Sequence, residues 1–221
     1  MKTTLTIVIF FLTIACVHAD DSKYEKAMKK NLSKIDAAKD VGSMLDVANG
    51  FERIAFAEKD KWLPYYYASF MYVLSSYADT TAGKADSYLD KADTFINIAD
   101  SLEEDESEIY TLKGMIAQAR LQVDPMNRWM KYGQISSRNF NTAMELDTLN
   151  PRPEYLMGVG LLYTPEQFGG GPVTAKPLLE KSLEKFNQFV PDNDLMPTWG
   201  RSKLEQLLEQ INEVPQETRE E

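Results

Sequence analysis

The sequence predicts an all-α fold, organised as a right-handed α-solenoid of antiparallel helix pairs with a capping C-terminal helix. Apolar residues recur at helical spacing along most of the 221-residue chain, and no stretch of any length alternates apolar and polar residues as a strand does. Residues 150–186 contain two amphipathic helical patterns on either side of a glycine-rich turn. Such a hairpin cannot bury both apolar faces alone, so it requires neighbouring hairpins.

Residues 1–19 are predicted to be a secretory signal peptide. Lys2 precedes an uncharged apolar run from Leu5 to Cys16, and Ala19 ends a cleavage site of the usual small-residue type. This run is too short to span a membrane as a helix, and nothing downstream is longer. We therefore expect an exported protein, located in the periplasm or at the cell surface, with no transmembrane span.

Cleavage after Ala19 would remove the only cysteine, Cys16, and the only histidine, His18. The remaining chain would then lack disulfides, thiol or imidazole catalysis and zinc sites built from these ligands. A second interpretation keeps Cys16 as a lipid-modified first residue, although Thr13 stands where a lipobox usually has leucine.

The charge balance argues against a nucleic-acid partner. The net charge is −10, and loss of Lys2 with the signal peptide leaves 23 basic against 34 acidic side chains, or −11. An acidic chain without a basic run is unsuited to binding a phosphate backbone.

Residues typical of helix starts mark where the first three predicted helices begin. Ser22 is a plausible N-cap for the first helix, Asp40 or Ser43 opens the second, and Pro64 suits the first turn of a strongly aromatic third helix. We interpret residues 123–134 as a long, partly helical connection. The predicted organisation is a signal peptide at 1–19, an N-terminal helical pair at 20–61, helical repeats at 62–190, a capping helix at 191–212 and a disordered charged tail at 213–221.

A small–large–small pattern marks the second helix of two predicted pairs. Its members are Ala92, Ile96 and Ala99 in one helix, and Ser136, Phe140 and Ala143 in the other. Gly114 follows Ala92 by 22 positions, and Gly158 follows Ser136 by the same distance; each glycine is the small residue of the next predicted pair. Asn150-Pro151 separates two of the pairs.

This spacing resembles the tetratricopeptide repeat (TPR), and the whole pattern is similar to small exported TPR-type proteins of Gram-negative bacteria. The chain departs from the family inside each unit, because 22 residues separate Gly114 from Ser136 where the family has about 12, and the overall period is 44–46 residues. The resemblance covers residues 62–186.

The resemblance implies a concave groove, lined by the first helix of each pair, that holds a protein or peptide. Carried over by position, the predicted partner-binding residues are Tyr65, Ser69, Tyr72, Thr111, Met115, Gln118, Arg152, Tyr155, Val159 and Leu162. Tyrosine and methionine suit partner capture because both offer large, adaptable contact areas. Packing in the core is the alternative role; it is favoured for Tyr66, Tyr67 and Phe70, and is left open for Tyr65, Tyr72 and Tyr155.

No motif indicates a catalytic, metal or cofactor site. Residues 169–172 (Gly-Gly-Gly-Pro) lack the lysine of a phosphate loop and predict a turn with positive φ before a helix that begins with proline. Residues 100–108 are acidic without the EF-hand pattern and predict a solvated turn, and Asp86, Asp90 and Asp93 are expected to be exposed carboxylates.

We therefore expect a non-enzymatic exported scaffold that binds a protein or peptide partner in its groove and needs no cofactor. The alternative is a small-ligand- or peptide-binding accessory component of an envelope transport system. In that case Tyr65, Tyr72, Met115 and Tyr155 would converge on a closed pocket.

Overall fold

The computed structural model describes residues 22–81 and 83–213. The predicted signal peptide, the alternative lipid anchor at Cys16 and the tail beyond residue 213 lie outside these described residues. Within them the fold is all-helical and contains no strand, as the apolar periodicity predicts. The helices are α1 (22–32), α2 (Val41–Ala57), α3 (Trp62–Ala78), α4 (Lys84–Leu102), α5 (Ser107–Val123), α6 (Pro125–Leu146), α7 (Arg152–Leu162), α8 (Pro172–Gln188) and α9 (Arg201–Glu213), with a short 3-10 turn at Glu166–Phe168.

The helices pack in chain order. Each of α2 to α8 contacts the helix that follows it, and α3 also contacts α5 while α5 contacts α7. The pairs α3/α4, α5/α6 and α7/α8 thus stand side by side with their first helices in a row. This neighbour pattern is the one that stacked helix pairs produce.

Glycines allow close packing within two of these pairs. A Cβ atom added at Gly114 of α5 would lie 2.3 Å from Cε1 of Phe140 in α6. One added at Gly158 of α7 would lie 2.6 Å from Cδ2 of Leu179 in α8. Both separations are far below van der Waals contact, so a larger residue at either glycine would push the two helices apart. Two positions of the sequence pattern, Gly114 and Phe140, therefore meet in α5/α6, and Gly158 meets Leu179 in α7/α8.

Two expectations about connections have different outcomes. The turn before α8 has positive φ at Gly169 (82°) and Gly171 (90°), and Pro172 is the first residue of the helix, so the turn prediction is confirmed. The expected partly helical connection at 123–134 is wrong, because α6 is continuous from Pro125. Asp124 caps this helix by accepting a hydrogen bond from the backbone N–H of Asn127.

The sequence predicts exposed carboxylates on α4; Asp90 is exposed, whereas Asp86 and Asp93 are half-buried, and all three form ion pairs. Asp93 Oδ2 lies 2.6 Å from Arg120 Nη2 of α5, and Asp86 Oδ1 lies 2.7 Å from Arg128 Nη1 of α6. Asp90 is the most exposed of the three and also pairs with Arg120, at 2.7 Å. The hydrogen bond from Arg128 lowers the pKa of Asp86 below its ordinary value. These ion pairs connect α4 to the next helix pair.

Candidate functional site

The surface formed by the first helices is crossed by residues 189–200, which connect α8 to α9 and which we call the return segment. Tyr67 of α3 donates a hydrogen bond to the carbonyl oxygen of Leu195 at 2.8 Å. Trp199 donates its indole N–H to Tyr66 Oη at 3.0 Å, and its ring stacks on Phe70 with centroids 4.9 Å apart. Tyr66, Tyr67 and Phe70 are buried, as the core interpretation predicts.

Arg152, at the start of α7, also binds the return segment. Its guanidinium has no exposed surface and donates to the carbonyl oxygens of Pro197 and Trp199. It also lies over the rings of Phe186, Phe189 and Trp199, with centroid distances of 5.7, 4.8 and 5.3 Å. The protein's own chain therefore occupies the donors of Arg152, which was predicted to bind a partner.

The counter-ion of Arg152 is Glu108, which the sequence predicts to be exposed to solvent. Glu108 Oε1 accepts a hydrogen bond from Arg152 Nη1 at 2.7 Å, and only 3% of Glu108 is exposed. The expectation that the acidic run to Glu108 is fully solvated is wrong at this residue, since Glu108 lies in the first turn of α5 and faces Arg152 and Tyr66. Burial raises the pKa of Glu108, and the nearby guanidinium opposes that rise.

Several other predicted groove residues make internal contacts. Tyr72 is 1% exposed, donates its hydroxyl to Glu52 and stacks on Phe95 with centroids 6.0 Å apart. Tyr65 is 5% exposed and lies against the same phenylalanine. Lys91 Nζ donates to Tyr72 Oη at 3.0 Å and lies 4.7 Å from the centre of its ring.

The polar members of the predicted set bond to backbone carbonyls. Ser69 donates to the carbonyl of Ala92 at 2.8 Å, and Thr111 donates to that of Ser107 at 2.9 Å. Gln118 donates to the carbonyl of Leu156 at 2.9 Å and is partly exposed. The buried members of the set are Tyr65, Ser69, Tyr72, Thr111, Met115, Arg152 and Tyr155. Partner binding by these residues stays a prediction.

The remaining part of this surface is open, and we call it the open half. Tyr155, Val159 and Leu162 of α7 contribute to it, together with Tyr77 near the end of α3 and Tyr163 directly after α7. Tyr77 is 41% and Tyr163 69% exposed, whereas Val159 and Leu162 are half-buried.

Neighbouring phenols affect the pKa values of two tyrosines of the open half. Although 41% of Tyr77 is exposed, desolvation of its hydroxyl, with a contribution from Tyr155, raises the pKa of Tyr77 well above its usual range. Burial, with a contribution from Tyr163, raises the pKa of Tyr155 to about 12. The phenols of Tyr77 and Tyr155 therefore stay protonated near neutral pH and can donate hydrogen bonds.

The hydroxyls of these three tyrosines make no hydrogen bond to any other residue in the described part of the chain, whereas those of Tyr66 and Tyr67 do. The open half thus combines aromatic rings, aliphatic side chains and unused hydroxyl groups. This composition suits a planar, largely apolar ligand with a polar edge.

The sequence interpretation included Tyr155, Val159 and Leu162 but missed Tyr77 and Tyr163 as site residues. Both belong to the apolar stripes of their helices but lie at or just beyond the helix end. The signal that could have identified them is the position of tyrosine near a predicted helix end.

Residues 22–81 and 83–213 contain neither a metal-binding cluster nor a membrane-spanning helix. No group of three or more histidine, cysteine, aspartate or glutamate side chains is arranged to hold a metal ion there. None of the helices in these ranges has the length and apolar character needed to cross a membrane.

The described residues form an all-α protein of paired helices, with the return segment covering part of the surface of α3 and α7. Comparison with protein-family profiles finds no match, and neither does comparison with curated proteins. Among solved structures, the chain is similar to the HusA haemophore from Porphyromonas gingivalis, with a TM-score of 0.76 and 33% sequence identity. The similarity covers 90% of this chain and 97% of the haemophore. The chain belongs to the family of the HusA haemophore.

Proposed function

We propose that this protein is an exported, non-enzymatic carrier that binds haem or a related porphyrin in the open half of its groove. The observation that carries the proposal is the relationship to a haemophore over almost the whole of both chains. It favours the small-ligand interpretation of the sequence over the protein-scaffold interpretation.

The chemistry of the open half supports a porphyrin. A porphyrin is a flat aromatic macrocycle, and Tyr77, Tyr155 and Tyr163 can offer ring faces for stacking while Val159 and Leu162 offer aliphatic contact. The unused tyrosine hydroxyls can hydrogen-bond to the propionate groups at the edge of haem. Tyrosine oxygen is also among the side-chain ligands that haem iron accepts, which matters because signal cleavage removes the only histidine.

The architecture proposed for this function is a TPR-like right-handed solenoid. The side-by-side pairs and the contacts of α3 with α5 and of α5 with α7 support it. The return segment lies on α3 and α7 near Tyr67 and Arg152, so a peptide partner would not find that part of the surface available. Export relies on the signal peptide at 1–19, and N-terminal sequencing of the secreted protein would locate the cleavage site.

The direct test is a titration of the purified protein with haemin, followed by the change in the haem absorption band. The Tyr77→Ala/Tyr163→Ala double variant removes two exposed rings, so we expect its affinity to fall about tenfold or more while the fold is kept. Tyr110→Ala is the control. Tyr110 lies near the start of α5, beside Asp100 and Asp105, and is not part of the open half.

Circular dichroism would verify that both variants remain folded. Absence of haemin binding by the wild type would refute the proposed function. Binding that is equally tight in wild type, double variant and control would refute the location of the site and leave the function in place.

A further inference from the structure

A cleft lies where α1, the α2–α3 junction and the return segment meet, near the start of α3, whereas Tyr77 lies near the end of that helix. This cleft, which we call the terminal cleft, has a volume of about 630 Å³ and a lining that includes Tyr24, Trp62, Leu63 and Leu195. Tyr24, Leu63 and Leu195 are buried and Trp62 is half-buried, so the floor is apolar and aromatic. The volume is in the range of small-molecule sites.

Unpaired carboxylates surround this aromatic floor. Glu25, Asp60 and Glu103 line the cleft and are exposed, and none of them forms an ion pair or a side-chain hydrogen bond with another residue of the described chain. A fourth carboxylate, Asp194, is paired with Lys29 at 2.8 Å. The cleft therefore carries negative charge that the described residues do not neutralise.

Tyr24 supplies an independent indication of a ligand. It is only 8% exposed, yet its hydroxyl has no hydrogen-bond partner among the described residues. Burial, followed by the charges of Glu58, Asp60 and Glu25, raises its pKa above the ordinary value. This places the hydroxyl close to the carboxylates of the cleft, where it can accept or donate a hydrogen bond.

Two lysines of the cleft lining, Lys29 and Lys61, indicate which ligand groups the cleft can bind. Lys61 Nζ lies 5.7 Å from the centre of the Tyr24 ring, and Lys29 Nζ lies on Asp194. Both are ammonium groups, one over an aromatic face and one on a carboxylate. A ligand with the same groups can use Trp62 and the unpaired carboxylates in the same way.

We propose that the terminal cleft binds a small organic cation bearing ammonium groups, with the rings of Tyr24 and Trp62 and the carboxylates of Asp60 and Glu103 as its main contacts. This site is separate from the open half and does not depend on porphyrin binding. An anionic ligand fits less well, because the carboxylates in the lining outnumber its two lysines.

The test is isothermal titration calorimetry of the purified protein with spermidine. The Asp60→Asn/Glu103→Gln double variant should bind spermidine about tenfold more weakly, since each exposed ion pair accounts for up to about fivefold. Glu209→Gln/Glu213→Gln is the matched control: it changes the net charge equally on α9, away from the cleft lining, and should bind as the wild type does.

Two further measurements distinguish binding at a specific site from general attraction of a cation to an acidic protein. Trp62→Leu should weaken spermidine binding about threefold or more through loss of the cation–π contact, and Mg²⁺ at the same concentration should not compete strongly. The proposal is overturned if the wild type does not bind spermidine. It is also overturned if the cleft variant and the α9 control lose affinity equally, or if Mg²⁺ displaces spermidine completely.

Discussion

The two halves of the groove are built from the same helices but have opposite character. In the half near the start of α7, the return segment covers α3 and α7, and Arg152 and Glu108 form a fully enclosed ion pair beneath it. In the half near the end of α7, Tyr77 and Tyr163 are exposed and their hydroxyls are unused by the rest of the described chain.

A surface built by paired helices therefore need not be one continuous binding surface. In the covered half, aromatic and charged side chains stabilise the fold by binding the protein's own backbone carbonyls. In the open half, the same residue types remain available to a ligand. Substitutions should therefore affect stability in one half and binding in the other.

The largest expected effect is that of Arg152→Met on stability. The variant keeps an apolar side chain among Phe186, Phe189 and Trp199 but leaves Glu108 without its buried counter-ion, so the free energy of unfolding should fall by about 3–5 kcal/mol. Urea denaturation measures it. Arg201→Met, which breaks an exposed pair with Glu205, is the control and should lose no more than about 1 kcal/mol. Equal losses in both variants would show that the covered half does not depend on this ion pair.

The stability deficit of Arg152→Met should depend on pH. The pKa of Glu108 is raised in the folded protein above the ordinary value of 4.5, and removal of the guanidinium raises it further. Such a carboxyl binds its proton more tightly in the folded than in the unfolded protein. Its ionisation therefore lowers the free energy of unfolding, and this loss is absent below the unfolded pKa and is complete once pH has risen through the folded pKa. Urea denaturation should therefore give a smaller difference from wild type at pH 5 than at pH 8. A deficit that is constant or larger at pH 5 would contradict this account.

A smaller effect is expected from Trp199→Phe, which keeps an aromatic ring against Phe70 but removes the indole N–H that donates to Tyr66. The loss of one partly buried hydrogen bond should lower the free energy of unfolding by about 1 kcal/mol. Haemin affinity should be unchanged, because Trp199 belongs to the covered half. A substantial loss of haemin affinity in this folded variant would show that the two halves are not independent.

The smallest effect concerns pH and the open half. Because the pKa of Tyr155 is raised to about 12 and that of Tyr77 is also raised, their hydroxyls keep their protons between pH 6 and pH 9. Titrations with metal-free protoporphyrin IX should therefore give the same affinity within about threefold at pH 6, 7.5 and 9. A steep fall in affinity over this interval would indicate that a group other than these tyrosines controls binding.

Local features of this protein can be predicted from its sequence. The helical periodicity predicts the all-α fold, and the repeat spacing marks Gly114 and Gly158 as small packing positions, while the structure shows that they meet Phe140 and Leu179. The glycine-rich turn before α8 is equally local, since it depends on positive φ at Gly169 and Gly171. These features follow from residues within one helix pair, where spacing along the chain fixes proximity.

Which residues of the predicted groove remain exposed depends on contacts between distant parts of the chain. Arg152 and Glu108 are 44 residues apart, and Trp199 is 133 residues from the tyrosine that accepts its hydrogen bond. Helical periodicity shows which side chains share a face, but not which distant segment will cover that face. The return segment covers Arg152, because its carbonyl groups and aromatic rings offer that side chain partners. Residues of α2 and α4 instead pack against Tyr65 and Tyr72.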